Sequence, residues 1–97
     1  MRVDFGTTDI PTAGERAQIS TLVEQVLWIR FAMRDANTNE VYVGISDVSA
    51  TNGWELSTNK RELELNFQQL GGSVTFNRFY VDSDASGNDV DWVVVLK

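Results

Sequence analysis

The chain has 97 residues, 14 acids against 8 bases for a formal net charge of −6, no cysteine and no histidine. That length builds one compact domain around one small core; the missing cysteines exclude disulfides and thiolate chemistry, and the missing histidines exclude the commonest general base, metal ligand and near-neutral pH switch. The acidic balance argues against nucleic-acid and anionic-membrane partners, and the longest apolar runs, 26–29 and 93–96, fall far short of the ~20 residues a spanning helix needs.

Residues 1–14 carry Val3, Phe5 and Ile10 as their large apolar anchors, set among Gly6, Thr7, Thr8, Pro11 and Gly14. Such a segment buries little surface alone and reads as an extended arm, or an edge strand, that leans on something else. The division expected is an N-terminal arm over 1–14 and one domain over 15–97. With Asp4 so early and no apolar stretch, the first residues do not resemble a signal peptide, and synthesis in a cytoplasm is expected.

Residues 15–34 hold two patterns. Ile19, Leu22, Val23, Val26, Ile29 and Met33 recur at helical spacing, and Thr21 with Glu24 fits a capping box. Leu27, Ile29, Phe31 and Met33 also alternate with Trp28, Arg30, Ala32 and Arg34 at the period of a strand. The remainder of the chain decides for the strand over 23–34.

From Asn37 onward the pattern is β throughout. Turn chemistry at Asn37-Thr38-Asn39-Glu40 precedes Val41, Val43 and Ile45 on one face; Asn52-Gly53 is the strongest turn signal before Trp54 and Leu56. Leu63, Leu65 and Phe67 alternate inward, Gly71-Gly72 turns the chain, and Val74, Phe76, Phe79, Tyr80 and Val81 follow. After a polar loop, Val90, Trp92, Val94 and Leu96 point inward while Val93 and Val95 make the opposite face apolar as well. That double face suits a central strand or one buried under a partner. Charges at Glu62, Glu64, Arg30, Arg34 and Lys97 are placed to blunt sheet edges. Short strands between turn signals define an all-β chain, a small antiparallel, jelly-roll-like β-sandwich with an extended N-terminal arm.

Candidate chemistry is sparse. Asp82, Asp84, Ser86, Gly87 and Asn88 match the first positions of a calcium loop, but Val90 and Val93 stand where further ligands belong, leaving a weak metal candidate and otherwise a solvated hairpin loop. Glu62 and Glu64 lie about 7 Å apart on one strand face, a spacing glycoside hydrolysis tolerates, although alternating glutamates are the ordinary outside of a sheet. No motif places a base beside a serine or threonine, so neither catalysis nor a cofactor is expected. Trp28, Trp54 and Trp92 with Tyr42 and Tyr80 could form a sugar-stacking platform; Trp92 shares the phase of the core, Trp28 falls on an outer face or in a contact, and Trp54 is the ring expected to be exposed.

The run from Val41-Tyr42-Val43-Gly44-Ile45-Ser46-Asp47-Val48-Ser49 through Asn52-Gly53-Trp54 to Leu56, with Ile29 to Met33 before it and Phe79-Tyr80-Val81 and the 90–95 strand after it, resembles small virion β-sandwich proteins of tailed bacteriophages, of the head decoration (cement) kind. The resemblance covers about residues 25–96 and departs after Leu56, where Ser57-Thr58-Asn59-Lys60 replaces a glycine-containing turn. It implies a non-enzymatic structural protein of the virion, made in the host cytoplasm, that stabilises the head by contacts with the major capsid protein or other virion proteins, with a homotrimer favoured by analogy. A neck, tail or host-recognition component and a glycan-binding module are the alternatives. The interface residues expected are Val3, Phe5, Ile10, Trp28, Val93 and Val95.

Overall fold

The computed structural model describes residues 1–34, 40–68 and 74–97. Among these, eight strands follow in order: β1 (Arg2–Ile10), β2 (Ala17–Gln18), β3 (Val26–Met33), β4 (Val41–Gly44), β5 (Trp54–Leu56), β6 (Glu62–Asn66), β7 (Tyr80–Ser83) and β8 (Asn88–Leu96), with one 3-10 turn at Phe76–Arg78. They form two four-stranded sheets, ordered β1-β8-β3-β6 and β2-β7-β4-β5, and every pairing is antiparallel. Each strand of the first half lies beside its mirror in the second: β1 with β8, β2 with β7, β3 with β6, β4 with β5. The chain is thus one long folded-back ribbon wound into a sandwich, which is the jelly-roll path. The ambiguous stretch 15–34 resolves as β2 and β3, with no helix.

The extended N-terminal segment takes its edge-strand form. β1 pairs with β8 from Arg2↔Leu96 to Ile10↔Asn88 without a break. Residues 2–10 are therefore a strand of the sandwich, and the 14/15 boundary does not separate an arm from a domain. Gly6 shows why the strand sits where it does: a Cβ there would lie 2.7 Å from the Trp92 ring. The indole crosses the bare glycine, donates its Nε1–H to Thr8 Oγ1 at 3.1 Å, and meets Phe76 edge-on at 5.1 Å. Only glycine leaves room for that close approach.

Between the sheets lies one apolar cluster, built from alternate residues of each strand: Ile10, Val26, Ile29, Phe31 and Met33 from β1 and β3, Val90, Val94 and Leu96 from β8, and Val41, Val43, Leu56, Leu63 and Val81 from the rest. The period of β3 slips once. Val26 pairs with Leu96 and Trp28 with Val95, so Leu27 is the extra residue of a β-bulge; Val26, not Leu27, fills the core. The bulge leaves Trp28 on the outside. Phe31 and Phe67 both lean on Phe79, at 5.7 and 6.0 Å between ring centres.

Two local expectations change. Ile45 does not continue the inward face of Val41 and Val43; β4 ends at Gly44 and Ile45 is exposed. The corner after it turns at Ala50-Thr51, bracketed by reciprocal Ser49 and Asn52 backbone bonds, while Gly53 serves a different need: Val48 packs so close that a Cβ would lie 2.7 Å from its Cγ2. Ser57 and Lys60 close the next tight turn in the same reciprocal way, so the Ser57-Thr58-Asn59-Lys60 departure still turns the chain. The expected turns at Asn37-Thr38-Asn39 and Gly71-Gly72 lie outside the described residues.

Candidate interaction face

In an antiparallel sheet, residues paired across strands share a face. The register of the first sheet therefore assembles its outer face in rows. Val3, Val95, Trp28 and Asn66 form one row; Phe5, Val93, Arg30 and Glu64 form the next; Thr7, Asp91, Ala32 and Glu62 form the third. Five of the six expected contact residues, Val3, Phe5, Trp28, Val93 and Val95, thus meet in one apolar patch at the β1 side of the sheet. Phe5 is 76% exposed and Val3 62%, while Trp28, Val93 and Val95 are half-buried by their neighbours. The sixth, Ile10, does not belong: its parity on β1 is opposite to that of Val3 and Phe5, and it lies fully buried in the core.

Below the patch the face changes character. Ala32 is small beside its neighbours, and the dip over it is a groove of about 400 Å³ lined by Phe5, Thr7, Arg30, Glu62, Asp91 and Val93 among others. Its charges are paired. Arg30 bridges Glu62, Arg34 approaches Asp91 at 3.5 Å, and Thr7 donates its hydroxyl to Asp91 at 2.6 Å. The Arg30 guanidinium holds the Glu62 carboxyl below the usual range, and Glu62 in turn raises Arg30. That direction is opposite to the one a general acid at Glu62 would use; Glu62 is an exposed ion-pair partner of Arg30, and Glu64 stands opposite Arg30 in the register. Beside them Asp89 is raised by partial burial and by Asp9, its direct partner across β1 and β8, against a smaller opposing effect of Arg34. The sequence hid Thr7, Arg30, Ala32 and Asp91 as groove residues because nothing local says which strands become neighbours.

The calcium-loop residues do not converge. Asp82 is buried and accepts the Ser83 backbone N–H at 2.8 Å; Asp84 accepts the Tyr42 hydroxyl at 2.6 Å; Ser86 accepts the Ala13 N–H at 3.0 Å; Asn88 donates to Ser83 Oγ at 2.8 Å. Asp82 and Asn88 both bond to Ser83, Asp84 to Tyr42 and Ser86 to Ala13, and among the described residues no group of three potential metal-ligating side chains gathers. The loop is tied to the fold instead. Ser83, which the sequence did not single out, is its hub: besides Asn88 its Oγ receives the Ala85 N–H, and it donates to the Glu40 carbonyl at 3.0 Å.

The aromatic residues do not form a platform. Trp92 faces inward, Trp28 stands on the outer face of the first sheet, and Trp54 lies on the edge strand β5 of the second. Tyr42 is buried with its hydroxyl engaged, which lifts its ionisation well above the ordinary phenol range. Trp54 is 45% exposed, with the Lys60 ammonium 4.0 Å from its ring centre in a cation–π contact. Comparison with protein families, curated proteins and solved structures finds no match to this chain.

Proposed function

We propose that this chain is a non-enzymatic structural protein of a tailed-bacteriophage particle, a decoration (cement) protein that docks on the head shell through the outer face of the β1-β8-β3-β6 sheet. The observation that carries the reading is the patch of Val3, Phe5, Trp28, Val93 and Val95, five apolar side chains in two adjacent rows with no segment of the described chain over them. Large apolar surface kept outside a small domain marks a contact, and burying Phe5 and Val3 would contribute roughly 1.5–3 kcal/mol each. The paired charges of the third row rim the patch on one side, giving the apolar centre and polar border of a protein interface. Repetition over a shell lattice multiplies modest single contacts by avidity. The phage assignment rests on the resemblance of 25–96; the docking mode rests on the patch.

Co-sedimentation of the purified chain with heads and, separately, tails of the phage whose genome encodes it tests both. Binding to heads, weakened roughly 30-fold or more by Phe5→Asp as for a central contact residue, is the expected result. Binding to tails alone would move the protein to the neck or tail. Binding to neither, or binding indifferent to Phe5→Asp, would overturn the reading.

A further inference from the structure

Among the described residues, β1 offers the longest unpaired sheet edge. The other sheet edges are short or charged: β2 has two residues, β5 three, and β6 five that include Glu62 and Glu64. β1 runs nine residues in unbroken register, with no proline, no lysine and no bulge. Of the devices that keep a strand edge from pairing, β1 has only its charges at Arg2, Asp4 and Asp9, and its length and unbroken register leave a template for another strand. The backbone shows which groups await it. Phe5 gives its N–H to the carboxylate of its own neighbour Asp4, at 2.9 Å, while Ile10, of the other parity, accepts the Gly87 N–H within the β7–β8 hairpin. In an antiparallel ladder these directions alternate. Val3, Phe5, Thr7 and Asp9 therefore turn their backbone groups to the open side, and the Asp4 carboxylate occupies the place of a missing strand.

We infer that the occupant is β1 of a second copy of this chain, paired antiparallel about a twofold axis at Phe5 to make one continuous eight-stranded sheet. The strand is self-complementary in that register. Phe5 faces its own counterpart as a mutually hydrogen-bonded pair, Val3 faces Thr7, Asp4 faces Gly6 and Arg2 faces Thr8, with no like charges opposed. Centring on Asp4 would oppose two carboxylates, and centring on Gly6 would set Val3 against Asp9. A ring built by pairing β1 with β6 would set the Val3 and Phe5 row beside Glu62 and Glu64. Charge thus selects the dyad over the threefold expected from the resemblance. The dyad also joins two apolar patches across Phe5 into one strip, so the dimer offers a doubled surface without needing any particular partner.

Sedimentation equilibrium of the full chain from micromolar to several hundred micromolar tests this. The expected mass at the upper end is twice the 10.9 kDa of one chain. Thr7→Pro removes an N–H that faces the open edge and no backbone bond of the β1–β8 ladder, giving up only the Thr7 hydroxyl bond to Asp91; it should raise the dimer dissociation constant at least tenfold while far-UV circular dichroism stays that of a β protein. If the proline unfolds the chain, Val3→Lys carries the same readout from a side chain that is already exposed. A parent chain monomeric throughout, or a folded variant with unchanged association, overturns the inference. Monomers that still sediment with heads would overturn only the dimer and leave the docking reading in place; dimers that ignore heads would do the reverse.

Discussion

At the residue scale, single positions carry constraints that composition conceals. Gly6 lies in ordinary extended backbone, and its importance is the Trp92 ring above it. Gly6→Ala should cost about 1–3 kcal/mol, the range for forcing one extra carbon into a packed site; urea unfolding measures it, and no change would mean that the indole can slide without losing Phe76 or Thr8. Asp89 makes a prediction of opposite sign. Its folded-state pKa is raised, so between the ordinary aspartate value and that raised value the native chain holds more protons than the unfolded one. Its contribution is fully favourable only at acid pH and is lost as pH rises through that window. Asp89→Asn should therefore raise the thermal midpoint at pH 7 by about 2 °C, a surface-sized effect, with the gain vanishing near pH 3. Glu62, lowered by Arg30, works the other way: its stabilisation is present at neutral pH and is lost as pH falls through its depressed value.

At the element scale, the strands were legible wherever two residues per repeat set inside from outside. The alternations Leu63/Leu65/Phe67 and Val90/Trp92/Val94/Leu96 predict the inward faces found, and of the two places that the apolar faces of β8 allowed, central or under a partner, β8 takes the first, between β1 and β3. The pattern misled where the backbone breaks its own period. The bulge at Leu27 exchanges the roles of Val26 and Leu27, and β4 stops before Ile45. Turn tips shifted for a similar reason: Asn52-Gly53 signals a corner, but its glycine is required by the Val48 side chain while Ala50-Thr51 make the bend. The edge segment carries the next prediction. Deleting residues 1–10 removes Ile10 from the core and uncovers Trp92 and one side of β8, so the truncated chain should lose cooperative unfolding altogether. A truncated chain with a sharp melting transition would mean that β1 is an appendage. Within the hairpin, Ser83→Ala leaves Asn88 and Ala85 without their shared acceptor and should cost about 1–3 kcal/mol by chemical denaturation.

At the scale of the whole molecule, the candidate site was legible residue by residue but not as a site. Val3, Phe5, Trp28, Val93 and Val95 each stood out as apolar in a position the core did not claim, yet they come from three segments whose adjacency follows only from the order β1-β8-β3. Ile10 failed because parity on a strand cannot be assigned before its partner is known; one residue's difference separates the patch from the core. The jelly-roll path supplies the missing term by laying the first strand beside the last. What results is a small acidic sandwich in which, among the described residues, ion pairs and loop hydrogen bonds tie rows and hairpins together while the outer face of β1, β8 and β3 keeps an apolar patch. The measurement that tests this most directly is electron cryomicroscopy of phage heads carrying the chain. The account predicts density for a sandwich seated on the shell with Phe5, Val93 and Trp28 buried against capsid protein; a bound sandwich with that face turned to solvent would contradict it.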